Sequence, residues 1–282
     1  MSLYTIITKT PLSCNACRME ILSPLVAKKA LPGQFIILRA REHSERIPLT
    51  VHDVNTQLGT VSVVYQVVGA GTRELDSLEA GDSLHDFVGP LGMPTETEGL
   101  QKVCVVGGGV GCAIAYPITR RLHEQGCRVH AIIGFRSREL VFLEEEFSRA
   151  SDLLKVMTDD GSYGEKGLVT DALRALIEAG HRYDRVIAIG PLVMMKFVSL
   201  LTKEYGIKTV VSMNPVMVDG TGMCGGCRLT VGGQTKFACV DGPDFDGHQV
   251  DFDEAISRNR IYEDFEKREH EKSCRLFRQE VR

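Results

Sequence analysis

Over the first hundred residues, short β-rich stretches alternate with turn residues. Residues 4–8, 33–38, 47–51, 61–68 and 83–88 carry apolar, β-branched and aromatic side chains, and Pro32-Gly33, Gly69-Ala70-Gly71 and Gly81-Asp82 punctuate them. Short strands at this spacing predict a small β-barrel over residues 1–98. After a polar link at 94–100 the pattern changes. Continuous apolar runs at 103–106, 129–133 and 186–189 are joined by helical periodicity through Leu122, at 170–179 and at 193–203. Buried strands alternating with helices predict an α/β parallel-sheet domain over 99–215. Residues 216–250 differ again, being rich in Gly, Cys and Asp, with one strand pair, 228–231 and 235–238, around Gly232-Gly233. They are read as a small cysteine-loop subdomain. Residues 251–282 are highly charged and read as a helical tail.

The length, 282 residues, agrees with two domains and an appendage. A net charge of −4 gives no electrostatic footprint for nucleic acid. No apolar run is long enough to span a bilayer, and residues 1–11 lack a signal-peptide pattern, so a cytoplasmic protein without membrane association is expected. In a reducing compartment the nine cysteines point to metal or redox chemistry rather than a disulfide framework.

The most informative stretch is Asp219-Gly-Thr-Gly-Met-Cys224-Gly-Gly-Cys227, followed by Cys239. A [2Fe-2S] cluster needs four anionic ligands. Cys224 and Cys227 can grip one iron from a tight loop, and Gly222, Gly225 and Gly226 let the backbone curl around the sulfides. Cys239 is a third ligand, and Asp219, with the same single charge as a thiolate, is the candidate fourth. A structural zinc site would use similar spacing, and three unliganded loop cysteines are the plain alternative. Cys14 and Cys17 form a C-x-x-C with no second pair nearby and read as an incidental loop pair. Cys104, Cys112 and Cys127 fall in or beside core elements.

Gly107, Gly108, Gly109, Val110 and Gly111 follow the 103–106 strand and open a helix, which is where a pyrophosphate binds. The acidic residue that completes the dinucleotide fingerprint after the second strand is absent; Arg136 and Arg138 stand there. Asp159 and the Gly190-Pro191 turn sit at later strand ends, where ligands of parallel sheets collect. No nucleophile–His–Asp arrangement is evident, so no catalytic side chain is assigned.

A small barrel, a glycine-loop α/β domain and a C-terminal cysteine loop, in that order, resemble the ferredoxin–NADP reductase superfamily. Within it, the chain resembles the electron-transfer subunit of class B dihydroorotate dehydrogenase, whose cluster segment runs S-x-E-x-x-M-x-C-G-x-G-x-C-x-x-C. Ser212, Met217, Gly220, Gly222, Cys224 and Cys227 match it; Asn214 replaces the glutamate and Asp219 the first cysteine. With Asp219, the segments at 46–50, 158–164, 213–215 and 239–243 look like the small subunit of NADH-dependent reduced ferredoxin:NADP oxidoreductases, which bifurcate electrons. That resemblance implies an oxidoreductase subunit carrying FAD and a [2Fe-2S] cluster, exchanging hydride with NAD(H) and single electrons with a larger flavin/iron–sulfur partner subunit. It implies flavin contacts at Arg46, Pro48, Leu49, Thr50, Val64, Gln66, Gly71 and Thr72, although Arg46 lies one residue before the family's arginine position. NAD(H) would dock on the 107–111 loop. The alternatives are a dihydroorotate- or sulfide-dehydrogenase-type complex, or a zinc-stabilised nucleotide-binding regulator.

Overall fold

A computed structural model of the chain describes residues 3–260. The first unit is built from β1 (Ile6–Pro11), β2 (Ala16–Leu22), α1 (Pro24–Ala27), β3 (Phe35–Arg39), β4 (Ile47–Asn55), β5 (Thr60–Gln66), α2 (Ala70–Asp76) and β6 (Asp86–Leu91). Its six strands are ordered β1-β2-β5-β4-β3-β6. A bridge between Thr5 and Ser83, with Ile6 N donating to the Asp82 carbonyl at 2.8 Å, brings the two edges together. Closing the sheet removes the open edges of an isolated one. Cys17, Met19 and Ile21 alternate along β2 with the less buried Arg18 and Glu20 and join Ile36, Leu38, Val61, Val63 and Tyr65 in the barrel core.

Two expectations change here. Cys17 lies in β2, buried, rather than in a loop, and Cys14 is exposed just before it. The alternation of Cys17, Met19 and Ile21 with Arg18 and Glu20 is the strand signal that the C-x-x-C spacing obscured. Gly71 and Thr72 lie inside α2 rather than in a turn, because the Thr72 hydroxyl caps that helix, accepting from Val68 N and Gly69 N at 3.0 Å each.

The second unit contains β7 (Lys102–Gly108), α3 (Gly111–Glu124), β8 (Arg128–Phe135), α4 (Glu144–Arg149), β9 (Leu153–Thr158), β10 (Glu165–Lys166), α5 (Val169–Glu178), β11 (Arg185–Ile189), α6 (Leu192–Glu204) and β12 (Thr209–Ser212). The cysteine segment adds a hairpin, β13 (Arg228–Val231) and β14 (Gln234–Phe237), then β15 (Asp244–Asp246) and α7 (Phe252–Asn259). The sheet order is β10-β9-β8-β7-β11-β12-β15, parallel except for β15. Helices cover both faces, so Val103 and Val105 of β7 pack with α3 residues, and Cys104 and Val106 with α5 and α6 residues. Burial on both faces is why these strands read as continuous apolar runs. The tail expected at 251–282 begins as α7; residues 261–282, with Cys274, lie outside the described residues.

Three parts share one core. Phe35 and Ile37 of the barrel lie in the same apolar cluster as Val186, Met195, Met217, Cys227 and Cys239. Full burial of each such side chain contributes about 1.5–3 kcal/mol. The link at 94–100 is tied down as well, with Thr95 Oγ1 donating to Asp244 Oδ2 at 2.6 Å. Among the described residues, no helix is long and apolar enough to cross a membrane.

Candidate functional site

The chain order reverses between β7 and β11: β8 and β9 build outward on one side of β7, and β11 and β12 on the other. The carboxyl ends of these two strands therefore form the crevice where open α/β sheets bind ligands. The 107–111 loop leaves β7 there, and Gly190-Pro191 leaves β11. The glycines are of two kinds. A Cβ on Gly108 would lie 2.4 Å from Met194 Sδ, and one on Gly111 would lie 2.4 Å from the Ile189 carbonyl oxygen. Gly107 is similarly filled by the Cys112 thiol, at 2.9 Å. These three permit close packing of β7, α3 and the start of α6. Gly109 is different: it has φ +55° and open space where a side chain would stand. It is the position at which a phosphate can approach the backbone beside the start of α3.

Arg136 and Asp159 follow β8 and β9, whose last residues, Phe135 and Thr158, pair in register. Both are exposed at the same sheet edge as the loop. Arg138 differs from its neighbour, since its guanidinium lies over the Tyr163 ring, 5.5 Å from the centroid. Pro191 is the N-cap of α6 and Gly190 precedes it, so the pair turns the chain into that helix.

In the barrel, Pro48, Leu49 and Thr50 of β4 pair with Ile37, Ile36 and Phe35 of β3 and stay half-buried. Gln66 ends β5, half-exposed. Val64 is 6% exposed and packs in the core that contains Ala113 and Ile118, so its side chain serves the seam with the α/β unit rather than an open ligand surface. Strand alternation alone does not reveal this, because the covering element comes from the second unit. A Cβ on Gly71 would meet the Glu45 carboxylate at 2.6 Å, which brings the start of β4 against α2, while Gly69 has open space beside Thr72. The Thr72 hydroxyl is used within the turn, donating to the Gly69 carbonyl at 3.2 Å, so the guanidinium of Arg46 and the open glycine are the features that fit the phosphates of a flavin nucleotide. Arg46 already has one partner across the molecule, its Nε donating to the Val218 carbonyl at 2.7 Å.

Val218 precedes the cysteine loop. The Asp219 carboxylate organises that loop, accepting from Thr221 N at 3.0 Å and Cys224 N at 2.9 Å. Those donors, Thr221 first, hold its carboxyl below the usual range, so it is ionised at neutral pH. Cys227 and Cys239 are buried and in thiol–thiol contact; burial first, then Cys227, pushes Cys239 up to about 12. Gly220, Gly222 and Gly225 all have positive φ, and Gly226 N donates to Cys224 Sγ at 3.5 Å.

Asp219 is thus tied to Cys224 through the Cys224 amide, and Cys239 lies beside Cys227 with Asp219 close enough to act on it. Cys224 stays exposed on the loop, whereas Cys227, just before β13, turns into the core. Among the described residues, no three His, Cys, Asp or Glu side chains converge as ligands of a single ion. Three thiols and one carboxylate supply the four anionic donors that a [2Fe-2S] cluster takes. The donor set fits the cluster. Around it Val216, Val218, Met223 and Val240 are exposed, Met223 to 88%.

A family model for the iron–sulfur cluster binding domain of dihydroorotate dehydrogenase B matches residues 214–251. The chain is 34% identical over 256 residues to a dihydroorotate dehydrogenase B (NAD(+)) electron transfer subunit of Bacillus velezensis, covering 87% of this chain and 97% of that one. It belongs to the dihydroorotate dehydrogenase B electron-transfer subunit family. A homolog of that subunit in Thermotoga maritima is 46% identical over 271 residues, covering 96% of this chain and 95% of its own. A solved chain from a study of flavin-based electron bifurcation via the NADH-dependent reduced ferredoxin-NADP oxidoreductase structure superposes with a TM-score of 0.92 at 44% identity. It covers 97% of this chain and 99% of that one. The fold is ferredoxin reductase-like. FAD, a [2Fe-2S] cluster and exchangeable NAD(H) are the cofactor complement that agrees with this family and fold. As an electron-transfer subunit, the chain works with a catalytic partner subunit.

The seam between the two units is made by residues outside the sequence-based candidates: His52 and Asp53 on β4, and Ala113, Pro117 and Arg120 on α3. Pro117, inside a helical pattern, was the available signal.

Proposed function

We propose that this chain passes electrons between NAD(H) and a larger flavin/iron–sulfur subunit in an electron-bifurcating, NADH-dependent ferredoxin:NADP oxidoreductase. Bound FAD supplies two-electron exchange with the nicotinamide and one-electron exchange with the [2Fe-2S] cluster. Arg46, Pro48, Leu49, Thr50, Gln66, Gly71 and Thr72 hold the flavin nucleotide, Arg46 at its phosphates and Thr72 by fixing the turn into α2. Gly109 receives the dinucleotide's phosphates, and Gly190 and Pro191 form the opposite wall of the crevice. Arg136 and Asp159 flank the adenosine end. Asp219, Cys224, Cys227 and Cys239 hold the cluster, with Asp219 replacing a thiolate by a carboxylate of equal charge. No protein acid or base is needed for hydride exchange with a flavin.

The observation that carries this reading is a loop that holds three cysteines and an ionised aspartate, organised by the Asp219 carboxylate and tied to the barrel by Arg46. The relative at 44% identity supports the bifurcating assignment, and the absence of a cysteine at position 219 argues against dihydroorotate as the partner's substrate. The exposed apolar rim at Val216, Val218, Met223 and Val240 suits docking of the partner beside the cluster. Anaerobic purification followed by flavin, iron and acid-labile sulfide analysis tests the cofactors. Turnover with a ferredoxin:NADP-type partner, against turnover with a dihydroorotate dehydrogenase subunit, tests the partner. A colourless protein, or activity only with the second partner, contradicts the proposal.

A further inference from the structure

β4 carries an extra residue. Val51 pairs with Val63 of β5 and Asp53 with Ser62, which leaves His52 as the bulged position between them. A bulge re-aims a side chain out of the ladder's alternation. His52 is 3% exposed, and its Nδ1 lies 2.7 Å from the carbonyl oxygen of Ala113, in the first turn of α3. A carbonyl only accepts, so Nδ1 carries the proton.

Inside a helix the Ala113 carbonyl would accept from the N–H of residue 117. That residue is Pro117, which has none. The imidazole therefore supplies the donor that the proline withholds. The same helix face is held twice more: Arg120 Nη2 donates to Asp53 Oδ1 at 2.7 Å, and the Tyr116 ring lies 5.6 Å from the His52 ring. His52 comes two residues after Thr50, and Ala113 two after Gly111.

We infer that His52 is a positioning residue. Through the vacancy left by Pro117, it fixes the flavin-bearing strand β4 against the helix that follows the nucleotide loop, and so sets the spacing between the two rings. This rests on the flavin and nicotinamide reading above. His52 touches neither ring; it acts through β4 and α3.

The test uses the flavin- and cluster-loaded protein under anaerobic conditions, with stopped-flow bleaching of flavin absorbance by NADH and urea unfolding read side by side. His52→Leu should slow bleaching at saturating NADH about tenfold, as a small misplacement of reacting groups does. The NADH concentration for half-maximal rate should stay within about twofold, since the loop itself is intact. His52→Asn, which keeps a donor near Nδ1, should retain most of the rate. Adding Pro117→Ala to His52→Leu restores an intrahelical donor to Ala113, so the urea midpoint should recover while the rate does not. Unchanged bleaching in His52→Leu, or joint recovery of midpoint and rate in the double variant, overturns the inference. No bleaching of the wild-type protein by NADH overturns instead the reading on which it rests.

Discussion

The Arg46 guanidinium donates to the carbonyl of Val218, 2.7 Å away and 172 positions later in the chain. This bond ties the start of β4 to the residue just before the cysteine loop. Arg46 therefore stands where the flavin phosphates and the cluster loop can both depend on it. Arg46→Ala should lower FAD affinity about tenfold, the loss of one charge-assisted hydrogen bond, and raise hydrogen exchange in the loop after Val218. Equilibrium dialysis of FAD and exchange mass spectrometry measure both. Unchanged values in both would remove Arg46 from the site.

The glycine loop makes a contrast between two substitutions. Gly111→Ala drives a Cβ into the Ile189 carbonyl, a backbone atom that cannot rotate away. It should cost about 2–3 kcal/mol of stability. Gly109→Ala meets open space and bears only the left-handed backbone, about 1–2 kcal/mol. Its main effect should be weaker NADH binding, because the new methyl group occupies the approach to the backbone. Urea unfolding and NADH titration separate the two.

A buried histidine gives the fold a pH dependence. His130 is 2% exposed, its Nδ1 lies 2.8 Å from the Tyr183 hydroxyl, and the His181 ring packs edge-on at 4.7 Å. Burial first, then Lys102 and His181, lowers it from 6.5 to about 4. The unfolded chain therefore binds this proton more readily than the folded one. Its contribution to stability is complete above about pH 6.5 and is lost as pH falls toward about 4, with an upper bound of about 3 kcal/mol. In His130→Asn the fall in urea midpoint across that window should be shallower than in wild type. Equal slopes would contradict the assignment.

The parallel strands were legible because burial on both faces gives continuous apolar runs such as 103–106. The cysteine loop was legible because ligand spacing is local. β2 was legible too, since Arg18 and Glu20 alternate with Cys17, Met19 and Ile21, but the C-x-x-C at its start drew the loop reading instead; α2 was not, because its start reads as a Gly-rich turn until Thr72 caps it. The pairing of Cys227 with Cys239 could not be read from spacing, because it depends on which thiol turns into a core shared with Phe35 and Ile37. His52 was hidden for a similar reason: its role exists only once a bulge aims it at a carbonyl that Pro117 leaves without a donor.

Position 219 tests the central claim most directly. The measurement is iron and acid-labile sulfide per chain in anaerobically purified wild-type, Asp219→Ala and Asp219→Cys proteins, with flavin content as the control for folding. About two irons and two sulfides are predicted in wild type, with retention in Asp219→Cys and loss in Asp219→Ala at constant flavin. One zinc and no sulfide in wild type, or an undiminished cluster in Asp219→Ala, would contradict the account.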